Sequence, residues 1–492
     1  MDDIYNFIKF TLEKKEKVYI NENKYDDKYN IKEINEKLLL IKNFFDDFQK
    51  ERDKEKNIKN YNLSQNDFNK IRKLAISKGG FMTMENRREL YKKILCYNQD
   101  ILTTKKYYNT IWINKNKLTL YNRNEFLFQF LNHNKDRSVI KVDIERSNIN
   151  FLFPSELYPE INKKVKENLE KCLNYLISFN KGEFHYYQGY HDILMIFFYL
   201  YPNDFYLYTL LYQRFSEFFL KENLILQDKN GNIGYSFNNA LKLFTFILSK
   251  VNKITLNDIN KFANGECTYV LSYIISYFTH NIQNIFLQMR LIDYLIVSHP
   301  LSIFVLTSYF IVDEITKLKT KYLTKLTNSK VTNYLSTHDE KENIEELNIS
   351  DFYVHFQQIE FDKIDFDDYI LKVEDFFNSF SFDDLKKEFC EGEMKFEAYY
   401  PLMNKEIYLE KFIIEEYEKI NKKKGDENIN IITNNKYYKI CSEKYKKISN
   451  SLIKKIKKSK IYSIGDKFYP LVFITNSIIT LPLIYYICFK KR

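Results

Sequence analysis

An all-α fold is expected for this chain, and three observations predict it. Apolar residues recur at helical spacing in one segment after another. Strand-type alternation is scarce, and the one Asn-Gly turn signal, Asn230-Gly231, is not flanked by two matching strands. Glycine and proline, which interrupt helices, number only 10 and 7 in 492 residues.

The elements follow in chain order. The first residues carry neither a basic n-region nor a long apolar run, so no signal peptide is expected. Residues 1–64 are rich in Lys, Glu, Asn and Asp, and they read as a mostly flexible arm with one weakly periodic helical patch at Ile34–Phe48. Order is expected from residue 65. Gly79-Gly80 break the chain ahead of Met84–Leu95, where Leu90, Tyr91, Ile94 and Leu95 share one helical face. Val165, Leu169, Cys172, Leu173, Leu176 and Ile177 define a clearer helix that stops at Asn180-Lys181-Gly182. Ile193–Tyr201 is apolar all round and closed by Pro202, the pattern of a helix buried inside a bundle. Leu207–Phe219, Phe237–Leu248, Tyr269–Phe278, Phe286–Val297 and Leu301–Val312 continue the helical theme. Together residues 65–313 form the expected main domain. Residues 314–351 are polar with little period and read as a flexible insertion. Helical pattern returns at Phe352–Phe380, within an extension expected over 352–412. A Lys-rich linker, 413–467, contains a second polar stretch at Asn421–Lys436.

The last element differs in kind. Phe468–Phe489 contains no charged residue. As a helix it spans about 30 Å, enough for a bilayer core. Six lysines lie just upstream, at 454, 455, 457, 458, 460 and 467, and only Lys490-Lys491-Arg492 follow. The heavier basic charge on the N-terminal side places the bulk of the chain in the cytosol. The expectation is a transmembrane tail anchor at 468–489. A short basic tail is also compatible with the mitochondrial outer membrane.

Composition excludes several function classes. The net charge is +10, but lysines are spread through acidic stretches with no Arg-rich stripe, so no nucleic-acid partner is expected. The six cysteines are far apart and suggest neither a disulfide framework nor a zinc site. His185, His191 and Asp192 form the only cluster that hints at a metal, and they lack a third strong ligand at helical spacing. No metal is expected.

Two short segments carry the chemistry. One is Ile140-Lys141-Val142-Asp143-Ile144-Glu145-Arg146. The other is Tyr186-Tyr187-Gln188-Gly189, running into Tyr190-His191-Asp192. An Asp/Arg pair at i, i+3 taken alone is usually a solvated surface pair. Both segments in order, at this spacing, resemble the TBC domain, the Rab GTPase-activating module. An upstream Arg-x-x-x-Trp signature of that family is matched by Arg87-Arg88-Glu89-Leu90-Tyr91, with Tyr in place of Trp. Arg290-Leu291-Ile292-Asp293, Ser298-His299-Pro300-Leu301 and the stretch from Tyr353-Val354-His355 to Phe380 resemble the endoplasmic-reticulum tail-anchored subgroup of that family.

The resemblance implies an all-α Rab GTPase-activating protein acting in trans. Arg146 would be the arginine finger, which stabilises charge on the transferring phosphoryl group by roughly 10³ to 10⁵ in rate. Gln188 would be the glutamine finger that aligns the attacking water. Asp143 would hold the Arg146 guanidinium, Gly189 would let the backbone approach the partner, and Tyr186 would pack beneath the Gln188 loop. The chain would need no cofactor of its own, because the GTPase brings GTP and Mg²⁺. It would turn over no independent substrate. The subgroup implies endoplasmic-reticulum or early secretory membranes and ER-to-Golgi traffic. The alternative is a catalytically silent Rab-binding scaffold or membrane adaptor.

Overall fold

The computed structural model describes residues 2–25, 31–54, 65–95, 134, 136–147, 149, 153–179, 184–225, 235–265, 267–333 and 349–391. Among the described residues every regular element is a helix. The α-helices of five or more residues are α1 (Asp2–Tyr25), α2 (Ile31–Lys54), α3 (Gln65–Ile76), α4 (Met84–Ile94), α5 (Arg137–Glu145), α6 (Pro159–Phe179), α7 (Tyr190–Leu200) and α8 (Phe205–Phe215). Then come α9 (Tyr235–Val251), α10 (Lys253–Phe262), α11 (Leu271–Ile275), α12 (Ile285–Leu295), α13 (Ser302–Asn333), α14 (Ile349–Gln357), α15 (Phe366–Ser379) and α16 (Phe382–Glu391).

Two helices are buried on every side. All residues of α7 and all residues of α12 are shielded from solvent, as the unbroken apolar run in α7 requires. Around α7 pack α1, α4, α6, α8 and α12. On the far side α13 packs against α9 and α15. Local chemistry sets several helix starts. Thr83, Asp204, Asn252 and Asn284 each accept a hydrogen bond from a backbone N–H in the first turn that follows.

A buried charge cluster ties distant segments together. Arg87 on α4 reaches Asp293 on α12, with Nη2 2.8 Å and Nε 3.0 Å from the carboxylate. Tyr91 donates to the same carboxylate at 2.9 Å, and the Phe81 N–H does so at 3.0 Å. Tyr in place of Trp thus supplies a hydroxyl that Asp293 uses. Burial opposes the Arg87 charge, but Asp293 outweighs it and the guanidinium pKa is raised. Gly80 is required at this point: its φ is +57°, and a Cβ there would lie 2.5 Å from Asp293 Oδ2. One turn earlier on α12, Arg290 donates to Ala75 O at the end of α3 and to Asp367 at the start of α15. Arg72 on α3 sets one nitrogen, Nη2, against both carboxylate oxygens of Glu374 on α15, at 2.6 and 2.8 Å. The extension is therefore joined to the main domain by ion pairs.

Several expectations are corrected. The arm expected over 1–64 contains two helices rather than one patch. Ile8, Leu12, Ile41 and Phe44 bury against the core. Two charges are buried with them. Glu16 accepts from the Met84 N–H at 2.5 Å, and Lys37 donates to Ser77 O and Lys78 O at 2.8 and 2.5 Å. The insertion expected to start at 314 begins inside α13. Ile315 and Leu318 keep that helix on the core, and Glu314 is held by Lys317 and His355. Residues 334–348 lie outside the described residues. The helix expected over Tyr269–Phe278 is shorter, a 3₁₀ turn at Thr268–Val270 followed by α11. The run Leu207–Phe219 passes from α8 into a π turn at Ser216–Leu220. The pattern over Phe352–Phe380 is broken by a 3₁₀ turn at Phe361–Lys363. Among the described residues no helix is long and apolar enough to cross a membrane. The expected anchor at 468–489, the linker at 413–467 and the extension beyond 391 lie outside the described residues.

Candidate functional site

Helix α5 ends at Arg146. Its apolar face, Ile140 and Ile144, is buried, and α5 packs on α6. Arg146 is the C-cap residue, and its backbone N–H reaches Asp143 O at 3.1 Å and Val142 O at 3.3 Å. Its side chain is exposed, and no described residue holds the guanidinium.

Gln188 sits in the loop that leads into α7. The residues on either side of it are buried, while Gln188 itself is exposed. Three contacts anchor the loop. The Tyr186 N–H donates to Asp136 Oδ2 at 2.9 Å, the His185 N–H to Leu224 O at 2.8 Å, and the Tyr187 hydroxyl to Ile275 O at 3.0 Å. Gly189 then turns the chain into α7 with φ +97°. A Cβ at Gly189 would meet Ser276 Cβ at 3.0 Å. Glycine is required here by the chain's own turn and packing, a reason the sequence reading missed.

Tyr186 joins the two segments. Its hydroxyl donates to Asp143 Oδ2 at 3.0 Å and lies 2.8 Å from His191 Nδ1. Burial, and then the Asp143 carboxylate, push the Tyr186 pKa far up, so the hydroxyl stays protonated. The expected contact between Asp143 and the Arg146 guanidinium is not made. Asp143 is buried, and it turns inward because the Tyr186 hydroxyl compensates its desolvation better than an exposed side chain could. Its carboxylate is committed to Tyr186, not to the guanidinium.

The network extends beyond the residues predicted from sequence. His191 Nε2 lies 3.2 Å from Asp192 Oδ1, and His280 Nδ1 lies 2.7 Å from Asp192 Oδ2. The hydrogen bond to Asp192 raises the His280 pKa against the opposing effect of burial. His280 comes from another element and had no local signal in the sequence. Among the described residues no group of His, Cys, Asp or Glu is arranged to hold a metal ion.

Comparison with known proteins adds to this geometry. No protein-family model matches the chain. Curated relatives do. GTPase-activating protein gyp10 of Schizosaccharomyces pombe is 26% identical over 211 residues, 42% of this chain and 53% of that protein. TBC1 domain family member 20 of Homo sapiens is 24% identical over 242 residues, 49% of this chain and 52% of that protein. The Mus musculus protein of the same name is 23% identical over 233 residues.

The chain is similar to TBC-domain and GTPase-activating proteins. It spans about half the length of the curated relatives it matches.

Proposed function

We propose that this chain is a TBC-domain GTPase-activating protein that accelerates GTP hydrolysis on a Rab-family GTPase. Arg146 is the arginine finger and Gln188 the glutamine finger. The observation that carries the reading is the 3.0 Å hydrogen bond from Tyr186 to Asp143. It couples a loop with one exposed carboxamide to a helix end with one exposed guanidinium. An exposed cation and an exposed amide on neighbouring, anchored elements suit a nucleotide that arrives on another protein. The guanidinium neutralises charge that grows on the γ-phosphoryl oxygens, and the carboxamide orients the attacking water. GTP and Mg²⁺ belong to the partner. Val139 and Val142, 51% and 47% exposed, share the α5 face with Arg146 and provide an apolar rim for a protein partner.

The curated relatives support the same reading. By subgroup resemblance, the GTPase acts in ER-to-Golgi traffic. We further propose that residues 468–489 anchor the chain in the endoplasmic-reticulum or early secretory membrane, with the finger site in the cytosol. The test is phosphate release from a panel of GTP-loaded Rab proteins with the full chain in detergent. The reading requires that at least one Rab is stimulated. If no Rab in the panel responds to the wild-type chain, the reading is wrong.

A further inference from the structure

The turn between α11 and α12 has features that its length alone does not require. Tyr277 and Phe278 both have positive φ, 56° and 62°, an unfavourable conformation for aromatic residues. Both rings are buried. Tyr277 donates to Phe219 O at 3.2 Å, and Phe278 stacks on Tyr273 with centroids 5.2 Å apart. Gln288 fixes the far side by donating to Thr279 O and Ile282 O at 2.9 and 2.6 Å. The surroundings thus hold the backbone in a costly shape.

That shape serves the Gln188 loop. Ile275 O receives the Tyr187 hydroxyl, Ser276 lies against Gly189, and His280 reaches Asp192 at 2.7 Å. The Asp192 side chain is 3% exposed, and its carboxylate lies against His191 and His280. His280 is the solvent-facing end of this chain, with a side chain 42% exposed. From it the chain runs through Asp192, His191 and Tyr186 to Asp143, one helical turn before Arg146.

We propose that His280 is a positioning residue for the Gln188 loop, acting through Asp192, His191 and Tyr186. The inference rests on the proposed GTPase-activating reading of Arg146 and Gln188. His280 touches neither nucleotide nor water in this role. It fixes Asp192, which orients the His191 ring, and the ring in turn holds the Tyr186 hydroxyl on Asp143. Freeing Asp192 lets the loop that carries Gln188 loosen.

Two substitutions test this in the full-length chain. His280→Ala removes the donor, whereas His280→Asn places an amide N–H near the position of Nδ1. With a responsive Rab, His280→Ala is expected to lower stimulated kcat by about 10- to 100-fold, the scale of a small misplacement of a catalytic group. The KM for the GTPase should stay unchanged, and His280→Asn should recover most of the rate. A wild-type kcat in His280→Ala, or a raised KM with kcat intact, overturns the proposal; the latter would make His280 a docking contact. Backbone hydrogen exchange across residues 184–192 provides a readout that needs no GTPase. Faster exchange in His280→Ala, restored in His280→Asn, supports the proposal even if no Rab responds. Unchanged exchange in His280→Ala refutes it.

Discussion

Asp293 shows how much one carboxylate can hold. Three donors from the segment 81–91 converge on it from about two hundred residues away in sequence, and its side chain is fully buried beside a 3% exposed Arg87. Asp293→Ala leaves the Arg87 charge buried without its strongest partner. The expected cost is about 3–5 kcal/mol, to be read from denaturant unfolding; a loss within about 0.5 kcal/mol, as for an ordinary surface change, would contradict this. Both motifs were visible in the sequence, Arg87-x-x-x-Tyr91 and Arg290-x-x-Asp293. That one clasps the other was not, because pairing across such a separation leaves no local pattern. Asp143 gives the same lesson at short range. Its i, i+3 spacing suggests a pair with Arg146, and burial decides instead for Tyr186.

At the scale of elements, the legible helices were those with strong apolar periods. α6, α7, α9 and α12 follow such runs closely. α1 was hidden, and α2 was legible only as the weakly periodic patch at Ile34–Phe48, because their buried stripes are narrow and set among Lys, Glu and Asn, and because each also buries a charge. Lys37 is the clearer case. Burial, and next the Arg290 guanidinium, lower its pKa from 10.5 to about 7. Between those two values the unfolded chain binds the extra proton and the folded chain does not, so stability rises with pH across that window. Below about 7 both states are protonated and the slope from this group vanishes. Unfolding measured at several pH values from 7 to 10 should show the rise in the wild type and a shallower one in Lys37→Met. Equal slopes would show that Lys37 is not the titrating group. α13 was misjudged for another reason. Its second half is polar, and Thr316, Thr320 and Thr324 turn their hydroxyls back to carbonyls four residues earlier.

For the whole molecule, an all-α class was readable from period alone, since burial of an amphipathic face leaves its spacing in the sequence. The site was half readable. Arg146 and Gln188 stood out as a pair through family resemblance, while His280 and the inward turn of Asp143 belong to tertiary packing. The relatives match over about half of their length, so the membrane assignment rests on the apolar run at 468–489. Carbonate treatment of membranes should leave the full chain in the pellet, and a chain ending at 467 should appear in the supernatant. Release of the full chain by carbonate would contradict the anchor.

The central claim is that a cation at 146 and an amide at 188 act together on a nucleotide held by another protein. Single-turnover phosphate release from a responsive Rab measures it most directly. Stimulation on the order of 10³ to 10⁵ is expected of the wild-type chain. Both Arg146→Ala and Gln188→Ala should fall toward the intrinsic rate, with wild-type melting because both side chains are exposed. Wild-type stimulation by either variant would contradict it.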